Sequence, residues 1–239
     1  MSSVKMAILI PTYNEALNIE RQLRSLEKFR NSRPKEQNFD VLVIDDQSPD
    51  NTAVIVLNMK LPWVFLESPS TKAGLGNAYK HGFEWALKRG YTHFIEMDAD
   101  GSHRIEDLHK ILDAPVDIDL VIGSRWVEGG SIENWSWIRR VISRTGNFYA
   151  RKVLKFSIAD STSGFRRISA KVLNRIEIDH VDSAGYGFQI EIAYLIFKAS
   201  GKIVEVPICF TERIAGYSKM SMGIALEAFF NITRVALRK

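Results

Sequence analysis

The chain has 239 residues, 46% of them hydrophobic, enough to bury one sizeable core, so a single α/β domain spanning residues 1–239 is the expected organisation. A formal charge of +4, from 32 basic and 28 acidic residues, suits an anionic membrane surface or a phosphate ligand and is too small an excess to point to nucleic acid. The lone cysteine, Cys209, excludes a disulfide framework and predicts a reducing compartment.

Met1 to Lys5 show no charged and apolar leader pattern, which predicts a chain that is not secreted. Every apolar stretch is broken by charge before the roughly 20 residues a spanning helix needs, which predicts a soluble or peripheral protein. Met6–Ile10 reads as the first strand, and a helix is expected from about Glu15 to Phe29. The strand Val41–Ile44, a helix after Asp50-Asn51-Thr52, the strand Val64–Leu66, a helix Gly76–Lys88, and the strands His93–Met97 and Leu120–Ile122 continue the rhythm. Apolar strands separated by helices predict a mostly parallel sheet, within a mixed α/β fold, covered on both faces. In such sheets ligands bind beyond the carboxyl ends of the strands.

The second half breaks this rhythm. It holds a basic, aromatic segment from Trp135 to Arg151, a loop from Asp160 to Arg166, a helix around Phe188 to Ala199, and a last strand before Arg213, where Cys209 reads as a small buried hydrophobe. An amphipathic helix over about 222–238 carries Glu227, Asn231, Arg234 and Arg238 on a narrow polar stripe. That helix suits either packing on the core or lying on a bilayer or a membrane partner. No linker, repeat or low-complexity tract is present.

Three strand ends carry polar clusters: Pro11 to Glu15, Asp45 to Ser48, and Asp98-Ala99-Asp100. If the strands are parallel, all three share one edge. Asp98 and Asp100 leave a buried strand one residue apart, a hard-oxygen pair of the kind that holds Mg²⁺ together with substrate phosphate. The plainer alternative is an acidic turn before a helix N-terminus near Ser102; position after a buried strand favours the metal. His103 is a minor ligand candidate or a surface histidine at a helix start. Thr12 to Glu15 can form a capping box, which leaves Pro11 and Tyr13 unexplained, and Tyr13 suits packing against a nucleoside. Adjacent Asp45 and Asp46 require a ligand, a metal or backbone donors. Asp50 reads as the cap of the following helix.

Gly74-Leu75-Gly76 after Lys72 resembles a phosphate loop only weakly, because Tyr79 fills the third small position. Arg213 to Lys219 joins two cations through a glycine-containing turn, either a diphosphate clamp or a solvated basic loop. Arg125, Arg139, Arg140 and Arg144 add cations near Trp135 and Trp137, a mixture suited to a membrane interface.

Pro-Thr-Tyr-Asn-Glu, Asp-Asp-Gln-Ser-Pro-Asp, Lys-Ala-Gly-Leu-Gly, Met-Asp-Ala-Asp-Gly-Ser-His, Gly-Ser-Arg-Trp, Thr-Ser-Gly-Phe-Arg, Gly-Tyr-Gly-Phe-Gln-Ile-Glu and Val-Pro-Ile-Cys-Phe-Thr-Glu-Arg, in this order, resemble the dolichol- and polyprenol-phosphate mannose synthases, most nearly the actinobacterial ones. The resemblance implies a GT-A, Rossmann-like nucleotide-sugar-binding fold of glycosyltransferase family 2. It implies inverting transfer of mannose from GDP-mannose to a polyprenyl or dolichyl phosphate, with Mg²⁺ or Mn²⁺, on the cytoplasmic face of the membrane as a peripheral enzyme.

Carried over by motif, Pro11, Tyr13, Glu15, Ile44 and Asp46 hold the guanosine. Asp98, Ala99 and Asp100 hold ribose, diphosphate and metal, with Ser102 at a third metal position. Arg213 and Lys219 clamp the diphosphate. Arg125 and Arg139 or Arg140 receive the lipid phosphate, and Asp160 or the pair Gln189 and Glu191 organise the acceptor side. Ser102 is a shorter ligand than the glutamine of other members, and some relatives reach the membrane through spanning helices or small membrane subunits. A related transferase moving glucose or another sugar to the same lipid is the alternative. A processive polysaccharide synthase fits less well, because Gly123-Ser124-Arg125-Trp126 lacks the Gln-x-x-Arg-Trp pattern. A dinucleotide oxidoreductase and a silent sensor or soluble subunit of a membrane complex are more distant rivals.

Overall fold

The computed structural model describes residues 4–70, 74–181, 185–213 and 232–237. Its first strand, β1 (Met6–Thr12), runs parallel to β2 (Phe39–Asp45), in register from Met6 against Phe39 to Thr12 against Asp45. β3 (Val64–Glu67) flanks β2, and β4 (His93–Glu96) lies on the other side of β1, both parallel. β5 (Leu120–Ser124) does not pair with β4. Between them β7 (Arg166–Ser169) is inserted antiparallel to both, and β8 (Ile203–Pro207) closes the edge parallel to β5. The sheet order is β3-β2-β1-β4-β7-β5-β8, with a small parallel pair, β6 (Ser131–Ile132) and β9 (Cys209–Phe210), beside it.

Alternation along the strands decides which helix covers which face. Ile8, Ile10, Val41, Val43 and Ile95 pack with Ile19 and Leu23 of α1 (Ile19–Asn31), Val56 of α2 (Thr52–Asn58) and Ile111 of α4 (Leu108–Leu112). Ala7, Leu9, Leu42, Ile44 and Phe94 face the other way, toward α3 (Gly74–Lys88), α5 (Trp137–Leu154), α6 (Ala170–Leu173) and α7 (Gly185–Lys198). Both faces are apolar because both are covered. Each buried Ile, Leu or Phe contributes about 1.5–3 kcal/mol.

Several local expectations are corrected. The first helix begins at Ile19, because Glu15 to Asn18 form a turn in which the Glu15 carbonyl accepts from the amides of Asn18 and Ile19, both at 2.9 Å. No capping box forms: Thr12 Oγ1 donates to Asp45 Oδ1 (2.9 Å), and the Glu15 amide donates to Thr52 Oγ1 (3.0 Å). Asn51, in a left-handed conformation (φ 67°), precedes α2, whereas the Asp50 carboxylate accepts from the amides of Thr52 (3.1 Å) and Ala16 (2.9 Å), tying two loops together. The basic aromatic segment is largely the helix α5, and the loop from Asp160 runs into β7.

That last strand was hidden by Arg166 and Arg167, which are fully buried. Arg167 donates through Nη1 and Nη2 to the carbonyls of Leu112, Ala114 and Pro115 (2.9, 2.7 and 2.7 Å), so most of its guanidinium donors are met inside the fold. Of the predicted C-terminal helix, residues 232–237 are helical, with Ile232 and Val235 in the core; Leu226, Glu227, Phe229, Phe230, Asn231 and Arg238 lie outside the described residues. Among the described residues no helix is long and apolar enough to cross a membrane.

Candidate active site

The parallel ends of β1, β2 and β4 open into a cavity of about 410 Å³. Pro11, Tyr13, Glu15 and Asp46 line it, together with Asp98, Ala99, Asp100, Ser102, Arg139, Gln189 and Arg213, so eleven of the residues singled out in the sequence share one space. At the β1–β2 end the adjacent carboxylates are separated by their partners. Asp45 turns to Thr12 and to the amide (3.0 Å) and hydroxyl (2.6 Å) of Ser48, while Asp46 accepts from the Gly74 amide (3.0 Å). Backbone donors thus resolve the like-charge conflict. The glycine-rich stretch serves a carboxylate here, and Lys72 lies outside the described residues. Glu15 is buried and accepts from Asn18 Nδ2 at 2.8 Å.

Beyond β4 the chain turns through Gly101 (φ 78°), where a left-handed backbone suits glycine, and Asp100 Oδ1 accepts from the Ser102 amide at 3.0 Å. Asp100 Oδ2 lies 2.9 Å from Arg213 Nη2. The Ser102 hydroxyl is buried beside this pair with no hydrogen-bond partner among the described residues. Two carboxylates next to an orphaned hydroxyl form a hard-oxygen donor set that fits a divalent cation. Among the described residues there is no cluster of three His, Cys, Asp or Glu side chains. Phosphate or water oxygens would therefore complete the coordination, as Mg²⁺ sites commonly require.

His103 is neither a surface residue nor open at both nitrogens. Its Nδ1 accepts from the Asp98 amide (3.1 Å), its Nε2 lies 3.7 Å from Asp98 Oδ2, and its ring stacks on Phe165 with centroids 4.8 Å apart. Burial pushes its pKa down to about 4, against the pull of Asp100 and helped by Arg125, so the ring is neutral near pH 7. It braces the loop that carries Asp98. Facing the same carboxylate is Gly164, where an added Cβ would come within 3.8 Å of Asp98 Oδ1.

Other expected site residues lie off the cavity wall. Ile44 is in the core. Arg125 grips Asp160 in a bidentate pair, Nε to Oδ2 at 2.7 Å and Nη2 to Oδ1 at 2.6 Å, with side chains 4% and 0% exposed. Its guanidinium also donates to Thr162 Oγ1 (2.8 Å) and lies over the Trp135 and Phe210 rings. In this arrangement it is a brace behind the cavity rather than a cation presented to a phosphate. Arg139 lines the cavity, stacked on Trp135 at 3.9 Å and paired with Glu212 at 3.3 Å, whereas Arg140 turns away to the Ile132 carbonyl. Glu191 is buried outside the lining, and Lys219 lies outside the described residues.

Sequence reasoning missed Tyr79, Thr162, Gly164 and Phe210, which also line the cavity. Gly164 stood in the Thr-Ser-Gly-Phe-Arg motif and could have been found there. Tyr79 was read only as an obstruction to a glycine loop. Beneath the cavity Glu96 is fully buried; burial pushes its carboxyl up to about 7, against Arg166, whose Nε lies 3.6 Å away.

The family model for glycosyl transferase family 2 matches residues 7–177. The chain is 44% identical to undecaprenyl-phosphate mannosyltransferase of Micrococcus luteus, over 98% of this chain and 95% of that one. It is 42% identical to polyprenol monophosphomannose synthase of Mycolicibacterium smegmatis, over 97% of this chain and 86% of that one. These relatives bear out the kinship expected from the ordered motifs. Among solved structures, glucosyl-3-phosphoglycerate synthase of Mycobacterium tuberculosis, with Mn²⁺, UDP-glucose and glycerol 3-phosphate, superposes with a TM-score of 0.69 at 16% identity, covering 98% of this chain and 81% of that one. A mannosyltransferase of Pyrobaculum calidifontis, in complex with GDP-Man and Mn²⁺, gives a TM-score of 0.62 at 15% identity, covering 96% and 64%. At these identities the likeness is one of fold.

Proposed function

The chain belongs to glycosyl transferase family 2 and has a GT-A fold, and from that premise we propose that it transfers mannose from GDP-mannose to a polyprenyl, dolichyl-type phosphate with inversion at the anomeric carbon. The observation that carries this reading is the acidic pair Asp98 and Asp100, with the orphaned Ser102 hydroxyl, set between a pocket lined by Pro11, Tyr13 and Asp46 and the cation Arg213. The relatives named for polyprenyl-phosphate mannosyl transfer support the lipid acceptor and the sugar.

Asp98 and Asp100, with Ser102 beside them, would hold Mg²⁺ or Mn²⁺, which supplies positive charge to the diphosphate as it departs. Tyr13 and Pro11 offer the base an aromatic and an apolar surface, and Glu15 and Asp46 accept its donors or those of the ribose. Arg213 exchanges Asp100 for a diphosphate oxygen. The acceptor phosphate is anionic near neutral pH, so it attacks the anomeric carbon without a strong general base. The new bond joins anomeric carbon to phosphate oxygen on the face opposite the breaking bond, and GDP leaves with the bonding electron pair. Arg139, at the cavity wall and stacked on Trp135, aims the acceptor phosphate.

The acceptor is a lipid, and α5 offers a surface for it. Trp137, Ile138, Val141 and Phe148 are exposed along this helix, beside Arg140, Arg144, Arg151 and Lys152 and with no acidic residue. Such a face suits the anionic cytoplasmic leaflet, and the enzyme works there as a peripheral protein. Incubating the purified protein with labelled GDP-mannose, Mg²⁺ or Mn²⁺ and a polyprenyl phosphate yields a mannosylated lipid and GDP. Turnover of UDP-glucose instead, or no lipid product, overturns the reading.

A further inference from the structure

The cavity follows the strand order: Asp46 lies beyond β2, Pro11 on β1, Asp98 beyond β4, and Thr162 and Gly164 before β7. Three strand spacings cover roughly 14 Å. A nucleotide whose base occupies the β2–β1 end and whose diphosphate lies at Asp98 and Asp100 therefore extends its sugar over the β7 end. Gly164 borders that space, where a Cβ would stand in van der Waals contact, 3.8 Å from Asp98 Oδ1.

The wall of that space on α7 is Gln189. Gln189 is 2% exposed, its Oε1 has no hydrogen-bond partner among the described residues, and its amide lies within reach of the buried Glu96 carboxyl beneath the cavity. The hydroxyl of Tyr79, which also lines the cavity, is likewise buried and unpartnered, with its ring held against Phe188 at a centroid distance of 6.0 Å. Arg166 Nη1 donates to the Gln189 carbonyl at 2.9 Å, which fixes the helix at this point. A buried polar atom left without a partner is costly, so Gln189 Oε1 and the Tyr79 hydroxyl, gathered at one wall, call for a ligand that satisfies them. A primary amide offers one acceptor oxygen and two N–H donors, the complement of a sugar hydroxyl, which both donates and accepts.

We infer that Gln189, supported by Tyr79, reads a hydroxyl of the transferred sugar and is a specificity-determining residue of the donor site. The inference rests on the nucleotide-sugar reading above and adds to it the residue that selects the sugar. It places Gln189 on the donor side of the reaction, where the sequence suggested the acceptor side.

The test is a cycle between protein and substrate. Wild type and Gln189→Ala are compared with GDP-mannose and with its 2-, 3-, 4- and 6-deoxy analogues, with GDP as a competitive inhibitor and polyprenyl phosphate as acceptor. Removing one neutral hydrogen bond to a substrate hydroxyl lowers kcat/KM by about tenfold. The expected result is that Gln189→Ala lowers kcat/KM for GDP-mannose by that factor, while inhibition by GDP and the KM for polyprenyl phosphate change less than twofold. For one deoxy analogue the wild type loses about tenfold and the variant loses nothing further, a non-additivity that a merely structural role does not produce. If every analogue suffers the same loss in both proteins, or if only the acceptor KM or the GDP inhibition moves, the inference is overturned. Tyr79→Phe removes one oxygen and little volume, and it carries the same cycle if Gln189→Ala fails to fold. Absence of wild-type transfer from GDP-mannose would instead remove the functional reading on which the cycle depends.

Discussion

Two loops beside the cavity each present an arginine–aspartate pair, and they do opposite work. Asp160, in the loop before β7, shares two charge-assisted bonds of 2.7 and 2.6 Å with Arg125, which follows β5, with almost no exposure. Asp160 and its neighbour Ala159 also donate their amides to Glu205 (2.9 and 2.7 Å), and Asn147 of α5 accepts from the Ser161 amide (2.8 Å). Asp100, in the loop after β4, shares a single contact of 2.9 Å at the cavity wall with Arg213, which follows β9, with the arginine side chain 19% exposed. A pair whose every group is committed is a brace, because releasing one partner leaves a buried charge. A pair with one contact at an open wall can exchange its partner for a ligand.

The largest expected effect breaks the exchangeable pair. Asp100→Asn keeps the oxygen that accepts from Ser102 but loses the charge, so turnover should fall by on the order of 10³-fold while stability changes by about 1 kcal/mol. Near-normal turnover, measured with thermal unfolding on the same sample, would place the cation elsewhere. Asp160→Ala should show the reverse pattern, a loss of about 3–5 kcal/mol in denaturant unfolding, because it strands Arg125 in the interior. A loss below about 1 kcal/mol would make the brace no more than a surface pair.

A third comparison sets both loops against the exposed face of α5. Replacing Trp137, Ile138 and Val141 together by Ala should weaken sedimentation with anionic vesicles by about tenfold and leave the melting temperature within about 2 °C, since these side chains are more than half exposed. Unchanged vesicle binding would move the membrane contact to another surface.

The smallest effect reports on the opposite end of β4. His93 is buried and bonded to the Val116 carbonyl (3.1 Å), and burial lowers its pKa below the ordinary 6.5. Below pH 6.5 the unfolded chain takes up a proton that the folded chain refuses, so stability is lost as pH falls from there. His93→Gln should flatten that acid limb in urea titrations at successive pH values. A slope identical to wild type would show that His93 protonates in the folded state.

The first half of the chain was legible because its physics is local. Met6–Ile10 and Val41–Ile44 are apolar throughout, and His93–Met97 is apolar but for His93 and Glu96, which only strands covered on both faces tolerate, and parallel strands must place their ends on one edge. Asp98, Asp100, Tyr13 and Asp46 followed from that rule alone. Glu15 joined them although its expected capping box did not form, since its place was set by the strand end and not by the cap. The second half hid its plan. Arg166 and Arg167 look like surface residues, and only the carbonyls of Ser163, Gln189, Leu112 and Ala114, brought from distant segments, make them a buried strand.

Arg125 shows the same boundary at a single residue. Its motif marked it as a cation near the site, but whether it faces a ligand or the interior depends on Asp160, 35 positions away. Composition and alternation along the chain determined the sheet, its two covered faces and the acidic edge, because those depend on residues near in sequence. The tertiary structure alone decided which charges are spent inside the fold and which remain at the cavity wall, because a charge is satisfied by whichever groups folding brings within about 3 Å of it.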